Sequence, residues 1–343
     1  MLNKSNVVPC AGIIIFLILF FYPSDFMRGA ATGLKNSASI IVPSLFPSMV
    51  AASLLAQGRT PRLLKKYIEP LTQRLFAQPA DCLVAVISGL FGGYPSGARA
   101  AAALCDNGII SENCAKRLML FCVNAGTGFC VNALGVSLLH SKRAGVIIFV
   151  SLVVSALITG LFTKAENAYR ATATISEKSA SAAFVSSVAS GASGIITVCA
   201  FSVLFSGLIA VISKMITDSR IITIISCLLE ITSGCTSAAG KIPLPLICAA
   251  CAFGGVCVHL QIFAVAGEHK PDILKFYLFR LAHAALAGVV CKVLIYFFPV
   301  SVTTSLQLSQ NAQAYSFSLP AALSLLFFSS LLILELDKQR KIC

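Results

Sequence analysis

Long apolar runs alternate along the chain with short polar or basic stretches. Each run is close to the roughly 20 apolar residues that a helix needs to cross a bilayer. The pattern predicts an all-α polytopic membrane protein of about 8–10 membrane elements, in the segments 7–22, 37–57, 82–105, 115–139, 144–163, 183–213, 220–239, 242–266, 275–298 and 316–336.

Two of these segments depart from a simple spanning helix. Segment 183–213 is overlong and begins rich in serine and glycine, and segment 220–239 is short and ends in TSGCTSAAG. Such segments can be re-entrant hairpins, which are tolerated only where they are buried in protein or line a water-filled cavity.

A broken helix is predicted at GLFGGYPSGARAAAALC, residues 89–105. Pro95 removes a backbone donor and blocks the preceding turn, while the neighbouring glycines permit unusual dihedrals. A second half-helix is expected to begin near Ser96 as its N-cap, with Arg99 in its first turn. Because a helix N-terminus favours anions, we expect Arg99 to contact an anionic substrate or a carboxylate such as Glu230; snorkelling to the surface is the alternative.

Three short sequences from the first part of the chain recur in the second part, in the same order and at nearly constant offset. They are PSLFPS and SVLFSG, LFGGYPSGARA and AFGGVCVHLQI, and RLMLFCVNAG and RLAHAALAG. This internal repeat predicts a first membrane half (1–163) with an interrupted helix at 89–105, a polar connector (164–182), and a second half (183–343) with a matching element at 253–262. Repeated halves with interrupted helices are typical of secondary transporters.

Polar residues inside apolar segments are the candidates for a binding site, although an interhelical hydrogen bond is the commoner role of each one alone. Asn124 and Asn132 are expected on one helix face, with the glycines from Gly126 onward unwinding the helix. The full set of candidate substrate-binding residues is Gly92, Gly93, Tyr94, Pro95, Ser96, Gly97, Arg99, Asn124, Gly126, Thr127, Glu230, Gly254, Gly255, His259 and Gln261.

Charge and motifs exclude several classes of protein. The net charge of +13 would suggest nucleic acid in a soluble protein, but many basic residues lie between apolar runs, where they set topology and meet anionic lipid headgroups. The basic linker 57–81 predicts a cytoplasmic N-terminus, and the basic tail DKQRKIC predicts a cytoplasmic C-terminus. Part of the linker fits an interfacial amphipathic helix and a solvated linker equally well. No catalytic constellation, phosphate loop, dinucleotide fingerprint or zinc motif is present, so we expect no enzyme activity, cofactor or metal.

The stretches SGLFGGYPSGARAAAALCDNGIIS, RLMLFCVNAG, LLEITSG and FGGVCVHLQ…FRLAHA resemble the sporulation integral membrane protein family YlbJ/SpoVV. That family belongs to the wider group with nucleoside-recognition Gate domains, and the resemblance spans about residues 37–298. It implies movement of dipicolinate, a small dicarboxylate, across the outer forespore membrane of a sporulating cell.

The residues and the resemblance together predict a transporter of a small organic anion that works by alternating access at the interrupted helices. A nucleoside-type carrier and a non-transporting scaffold for spore-envelope assembly are the alternatives. The protein is expected in the cell membrane or the outer forespore membrane, and a homo-oligomer is compatible with the sequence.

Overall fold

A computed structural model describes residues 4–57, 62–163 and 180–300. Within these ranges the chain is helical and contains no strand, which confirms the all-α prediction. The helices are α1 (Lys4–Phe21), α2 (Pro23–Asn36), α3 (Val42–Gln57), α4 (Arg62–Phe76), α5 (Leu83–Gly92), α6 (Tyr94–Asp106), α7 (Glu112–Phe121), α8 (Lys142–Leu161), α9 (Ala180–Met215), α10 (Ser219–Leu229), α11 (Ile231–Ala238), α12 (Leu244–Phe253), α13 (Gly255–Ala266) and α14 (Ile273–Phe297). Two π-helical stretches, Ser37–Ile41 and Gly128–Leu138, and two short 3-10 turns complete the described structure.

Four stretches among the described residues are long and apolar enough to cross a membrane: Lys142–Leu161, Ser181–Met215, Leu244–His269 and Ile273–Phe297. A fifth is obtained if α1 and the stretch Pro23–Ala51, which meet at an angle of 106°, count as one span. The protein is therefore polytopic. Several predicted membrane elements are built from shorter helices instead, and the predicted segment 316–336 and most of the connector 164–182 lie outside the described residues.

Helix α9 shows that the overlong segment 183–213 is not a re-entrant hairpin, a structure that its serine- and glycine-rich start left open. It is one continuous helix of 36 residues. Its small residues serve close helix packing instead, because Gly29 and Gly33 of α2 lie directly against Ser206 and its neighbours on α9. Small residues let helix backbones approach closely in membranes, where no hydrophobic driving force holds helices together.

Two helix pairs fold back as hairpins. In the first, α5 and α6 are antiparallel, so that Gly89 and Gly97 bring their backbones together and both press on the carbonyl of Cys122. In the second, α10 and α11 turn at Glu230, and Gly234 packs against the backbone of Cys227. The second hairpin confirms that the short segment 220–239 is not a simple spanning helix. Each hairpin places its tip inside the protein.

Gly89, where α5 packs against α6, is expected to tolerate no larger side chain. A methyl group at Gly89 would overlap the backbone carbonyl of Cys122, which has no flexible end that can move aside. We expect Gly89→Ala to destabilise the folded protein by about 1–3 kcal/mol, the usual cost of overpacking. Gly12→Ala is the matched control, because a methyl group there meets open space. Equal thermal stability of the two variants in detergent would contradict the packing described.

Candidate functional site

The tip of the first hairpin is a glycine turn. Gly93 has φ +100° and is the N-cap of α6, and no side chain caps that helix. The prediction of Ser96 as N-cap is therefore wrong: Ser96 lies in the first turn, and its hydroxyl donates to the Gly92 carbonyl at 3.2 Å. The φ of Gly93 reverses the chain where a residue with a Cβ would be strained. The first backbone N–H groups of α6 are left without a side-chain partner at this tip.

The break predicted after Asn124 is present, since α7 ends at Phe121 and the π-helical stretch begins at Gly128. Gly126 allows this break to touch the hairpin tip, because a Cβ at Gly126 would lie 2.6 Å from the Phe91 oxygen and 2.7 Å from the Gly93 nitrogen. The Thr127 hydroxyl donates to the same Phe91 carbonyl at 3.2 Å. The first hairpin is thus fastened to the 122–127 break.

The two asparagines do not share a helix face as predicted, because the break separates them. Asn132 is exposed, whereas Asn124 is fully buried in the break. Neither the amide nitrogen nor the amide oxygen of Asn124 has a hydrogen-bond partner among the described residues.

Glu230 forms the tip of the second hairpin and caps α11. One carboxylate oxygen accepts from the Thr232 N–H at 2.9 Å, and the other accepts from the Ser233 N–H at 2.7 Å. This is favourable because a carboxylate at a helix N-terminus satisfies orphan donors and complements the helix dipole. The side chain is only 3% exposed.

The second Phe-Gly-Gly element joins both hairpin tips. Gly254, in the left-handed region at φ +89°, separates α12 from α13, and the Tyr94 ring of the first hairpin lies over it. The Tyr94 hydroxyl donates to the Cys251 carbonyl, one turn before the break. Gly255 faces the last carbonyls of α10, because a Cβ added at Gly255 would lie 3.2 Å from the Leu229 oxygen. The break and both tips therefore form one contiguous region.

A cavity of about 40 Å³ lies at this junction. Its wall includes seven of the fifteen residues predicted from the sequence: Gly92, Gly93, Tyr94, Pro95, Gly126, Glu230 and Gln261. The rest of the wall is mainly apolar and comes from Ile41, Leu45, Met49, Phe129, Val198, Ile231 and Val258, with Ser202 and Thr232 as further polar members.

Ser202 on α9 is a polar wall residue that the sequence did not single out. It is 2% exposed, and its hydroxyl has no hydrogen-bond partner among the described residues. Serines in helices usually bond back to the carbonyl four residues earlier, as Ser44, Ser151 and Ser226 do here. A buried hydroxyl without such a bond is therefore available to a molecule in the cavity.

Arg99 contacts neither the cavity nor Glu230. Its guanidinium donates to the Ser190 carbonyl at 2.6 Å and to the Ser190 hydroxyl at 3.2 Å, so it ties α6 to α9. Of the alternatives set out from the sequence, this geometry corresponds to structural pairing, with a serine in place of the expected carboxylate.

The remaining predicted residues lie around the junction but not on the cavity wall: Ser96, Gly97, Asn124, Thr127, Gly254, Gly255 and His259. His259 is packed edge-on against the rings of Phe253, Phe276 and Tyr277, and its Nε2 pairs with the Phe253 carbonyl at 2.7 Å. Its role in the structure described is to hold the chain beside the Gly254 break.

Arg280 of α14 is buried beside the same region and was recognised in the sequence only as part of the repeat. Its two terminal nitrogens donate to the carbonyls of Val123 and Leu120, each at 2.6 Å. Those carbonyls lie at the end of α7, which makes Arg280 the side chain that holds the 122–127 break against α14.

Long apolar helices, two inward-folded hairpins and a buried cavity at their tips define an integral membrane protein. The chain is similar to the sporulation integral membrane protein YlbJ of Bacillus subtilis strain 168, with 26% identity over 149 residues, which are 43% of this chain. This similarity supports the family resemblance that the sequence motifs indicated. The aligned region covers 36% of the length of that relative. No family model and no solved structure matches the chain.

Proposed function

We propose that the protein transports a small organic anion and that the cavity between the hairpin tips is the solute site. The observation that carries this proposal is that three chain breaks, at Gly93, 122–127 and Glu230, line one cavity, while the fourth, at Gly254, packs against the Tyr94 ring of its wall. Breaks in membrane helices expose backbone hydrogen-bonding groups, and they are tolerated where they are buried or line a cavity. In transporters such breaks form the solute site.

The preference for an anion rests on the start of α6 rather than on Arg99. Gly93, Tyr94 and Pro95 line the cavity, and α6 has no side-chain cap, so the Tyr94 N–H and the helix dipole favour negative charge there. Pro95 has no N–H, and the Ser96 N–H donates to the Gly93 carbonyl at 3.1 Å. The choice of dipicolinate among small anions comes from the family resemblance. Its two carboxylates suit such a terminus.

Transport requires this cavity to open. A volume of about 40 Å³ is enough for about three to four water molecules, given roughly 10–15 Å³ for each. An aromatic dicarboxylate needs considerably more. The cavity is therefore too small for that solute in the described conformation, and alternating access would enlarge it by displacement of a hairpin from the Gly254 break.

A nucleoside carrier is the second candidate, and the neutral polar groups of Ser202, Thr232 and Gln261 on the cavity wall favour it. Uptake of labelled dipicolinate and of labelled nucleosides into proteoliposomes separates the two. We expect dipicolinate to enter and nucleosides to be excluded. Nucleoside uptake alone would establish the second candidate, and failure of both solutes under every imposed gradient would favour the scaffold.

Arg99→Ala tests whether this arginine acts on the solute. Because its guanidinium is bound to Ser190, we expect the KM for dipicolinate to be unchanged and the stability to fall by about 1 kcal/mol, the low end for a partly exposed charge-assisted hydrogen bond. Ser190→Ala removes only the hydroxyl acceptor and should cost less. A rise of KM of about tenfold, equivalent to about 1.4 kcal/mol of binding, would instead place Arg99 at the solute.

A further inference from the structure

Glu230 is the one residue of the described cavity wall with a carboxyl, amino or guanidinium group. The thiols of Cys227 on α10 and Cys257 on α13 are close enough to interact electrostatically with it, and the Tyr94 phenol belongs to a residue of the same cavity wall. None of these is a cation that could balance a carboxylate.

The basic side chains near the junction form hydrogen bonds to groups other than Glu230. Arg99 is bound to Ser190, and Arg280 is bound to the carbonyls of Leu120 and Val123. Over the ranges the structure describes, Glu230 takes part in no ion pair, and its bonds are the two backbone N–H groups at the start of α11.

The carboxylate retains capacity for a further partner. Each of its oxygens accepts one N–H bond, whereas an ionised carboxylate has about four acceptor sites in all. The unpartnered Ser202 hydroxyl, contributed by a different helix, lines the same cavity. Carboxylate and hydroxyl oxygens are ligands for hard cations, and an unpartnered buried hydroxyl is costly unless something binds to it.

We infer that Glu230 and Ser202, which both line the cavity, bind a single positive charge, either a metal cation held by oxygen ligands or a proton on the carboxylate, which enters together with the organic anion. The inference rests on the proposed anion transport. An organic anion at the α6 N-terminus would otherwise share a small, largely apolar cavity with a second negative charge. At short range and low effective dielectric that repulsion is strong, and the bound cation removes it. The protein would then be a symporter in which the cation gradient drives accumulation of the anion.

Two transport modes in proteoliposomes separate this inference from the proposed function. Exchange of labelled for unlabelled dipicolinate across the membrane, with equal salt and pH on both sides, tests whether the solute is carried at all. Accumulation driven by an inward sodium gradient, a potassium gradient or a pH gradient, each applied alone, tests coupling and identifies the cation.

We expect exchange in the wild-type protein and accumulation under one of the three gradients. Coupling between two ligands is typically worth about 5–150-fold in affinity, so Glu230→Gln should reduce the gradient-driven accumulation ratio at least about fivefold when each variant is normalised to its own exchange rate. Ser202→Ala leaves Glu230 and its cap intact, and it should raise the concentration of cation that gives half-maximal exchange.

Asp218→Asn is the matched control. Asp218 likewise caps the start of a helix, α10, with its carboxylate, one oxygen of which accepts from the N–H groups of both Arg220 and Ile221, but it lies on the exposed surface. Its variant should keep full coupling. Absence of exchange in the wild type refutes anion transport. If the wild type exchanges dipicolinate but none of the three gradients drives accumulation, the cation site is refuted and anion transport is not. The same holds if gradient-driven accumulation is unchanged in both Glu230→Gln and Ser202→Ala.

Discussion

Replacing Arg280 by alanine is expected to lower the free energy of unfolding by about 3–5 kcal/mol and to abolish transport. The side chain is 1% exposed, so its loss leaves a large void in the core. It also removes the donors to the Leu120 and Val123 carbonyls at the end of α7. Both carbonyls would then be buried without those bonds, and the 122–127 break that touches the first hairpin tip would lose its anchor on α14.

Thermal unfolding in detergent measures this effect. The chain has 14 cysteines and no tryptophan, and most of the described cysteines are buried, so a thiol-reactive fluorescent dye reports unfolding where intrinsic fluorescence is weak. Arg280→Lys should be intermediate, because one ammonium on a flexible stem does not reproduce the planar fork that reaches two carbonyls. Arg220→Ala, at an exposed position, is the control. A stability loss for Arg280→Ala within about 1 kcal/mol of that control would show that the anchor is dispensable.

Local backbone chemistry made the chain breaks predictable. Pro95 and the preceding glycines mark the first hairpin, and Gly126 marks the second break, because these residues disfavour a continuous helix wherever they occur. Local chemistry does not determine the direction that the chain takes after each break. The two Phe-Gly-Gly elements begin alike, yet α5 and α6 fold back on each other whereas α12 and α13 remain one span. The tertiary partners decide this, and the internal repeat stays a prediction.

The partners of charged residues were less predictable than the breaks. Arg99 and Glu230 appeared matched because each is a lone charge in an apolar segment, but each charge is met by local polar groups instead. Arg99 finds a carbonyl and a hydroxyl on α9, and Glu230 finds the N-terminus of its own half-helix. Hydroxyl and backbone groups thus compensate both charges without an ion pair, and sequence spacing does not reveal which of these groups faces which charge.

Ser202 shows the same limit for small polar residues. A lone serine in an apolar helix normally bonds to its own backbone, so the sequence offers no signal that this hydroxyl faces a cavity. The position follows from the packing of α9 against the hairpin tips, which depends on contacts between residues far apart in the chain.

Tyr94→Ala is expected to destabilise the protein by about 3–5 kcal/mol, because it removes a buried aromatic ring that joins the first hairpin tip to α12. Tyr94→Phe keeps the ring and removes only the hydrogen bond to the Cys251 carbonyl, so it should cost about 1 kcal/mol. Thiol-dye unfolding measures both variants. Tyr67→Ala is the control, since that ring on α4 is 73% exposed.

Transport by the two Tyr94 variants distinguishes a wall residue from a packing residue. The ring lies on the cavity wall, and its hydroxyl points away to Cys251, so Tyr94→Phe should retain the wild-type KM for dipicolinate. Its turnover should change instead, because the bond that joins the hairpin tip to α12 in the described conformation is missing. A large rise in KM with unchanged turnover would mean that the hydroxyl meets the solute. The tip would then have to rotate toward the cavity when solute binds, and the Tyr94–Cys251 bond would belong to the empty protein alone.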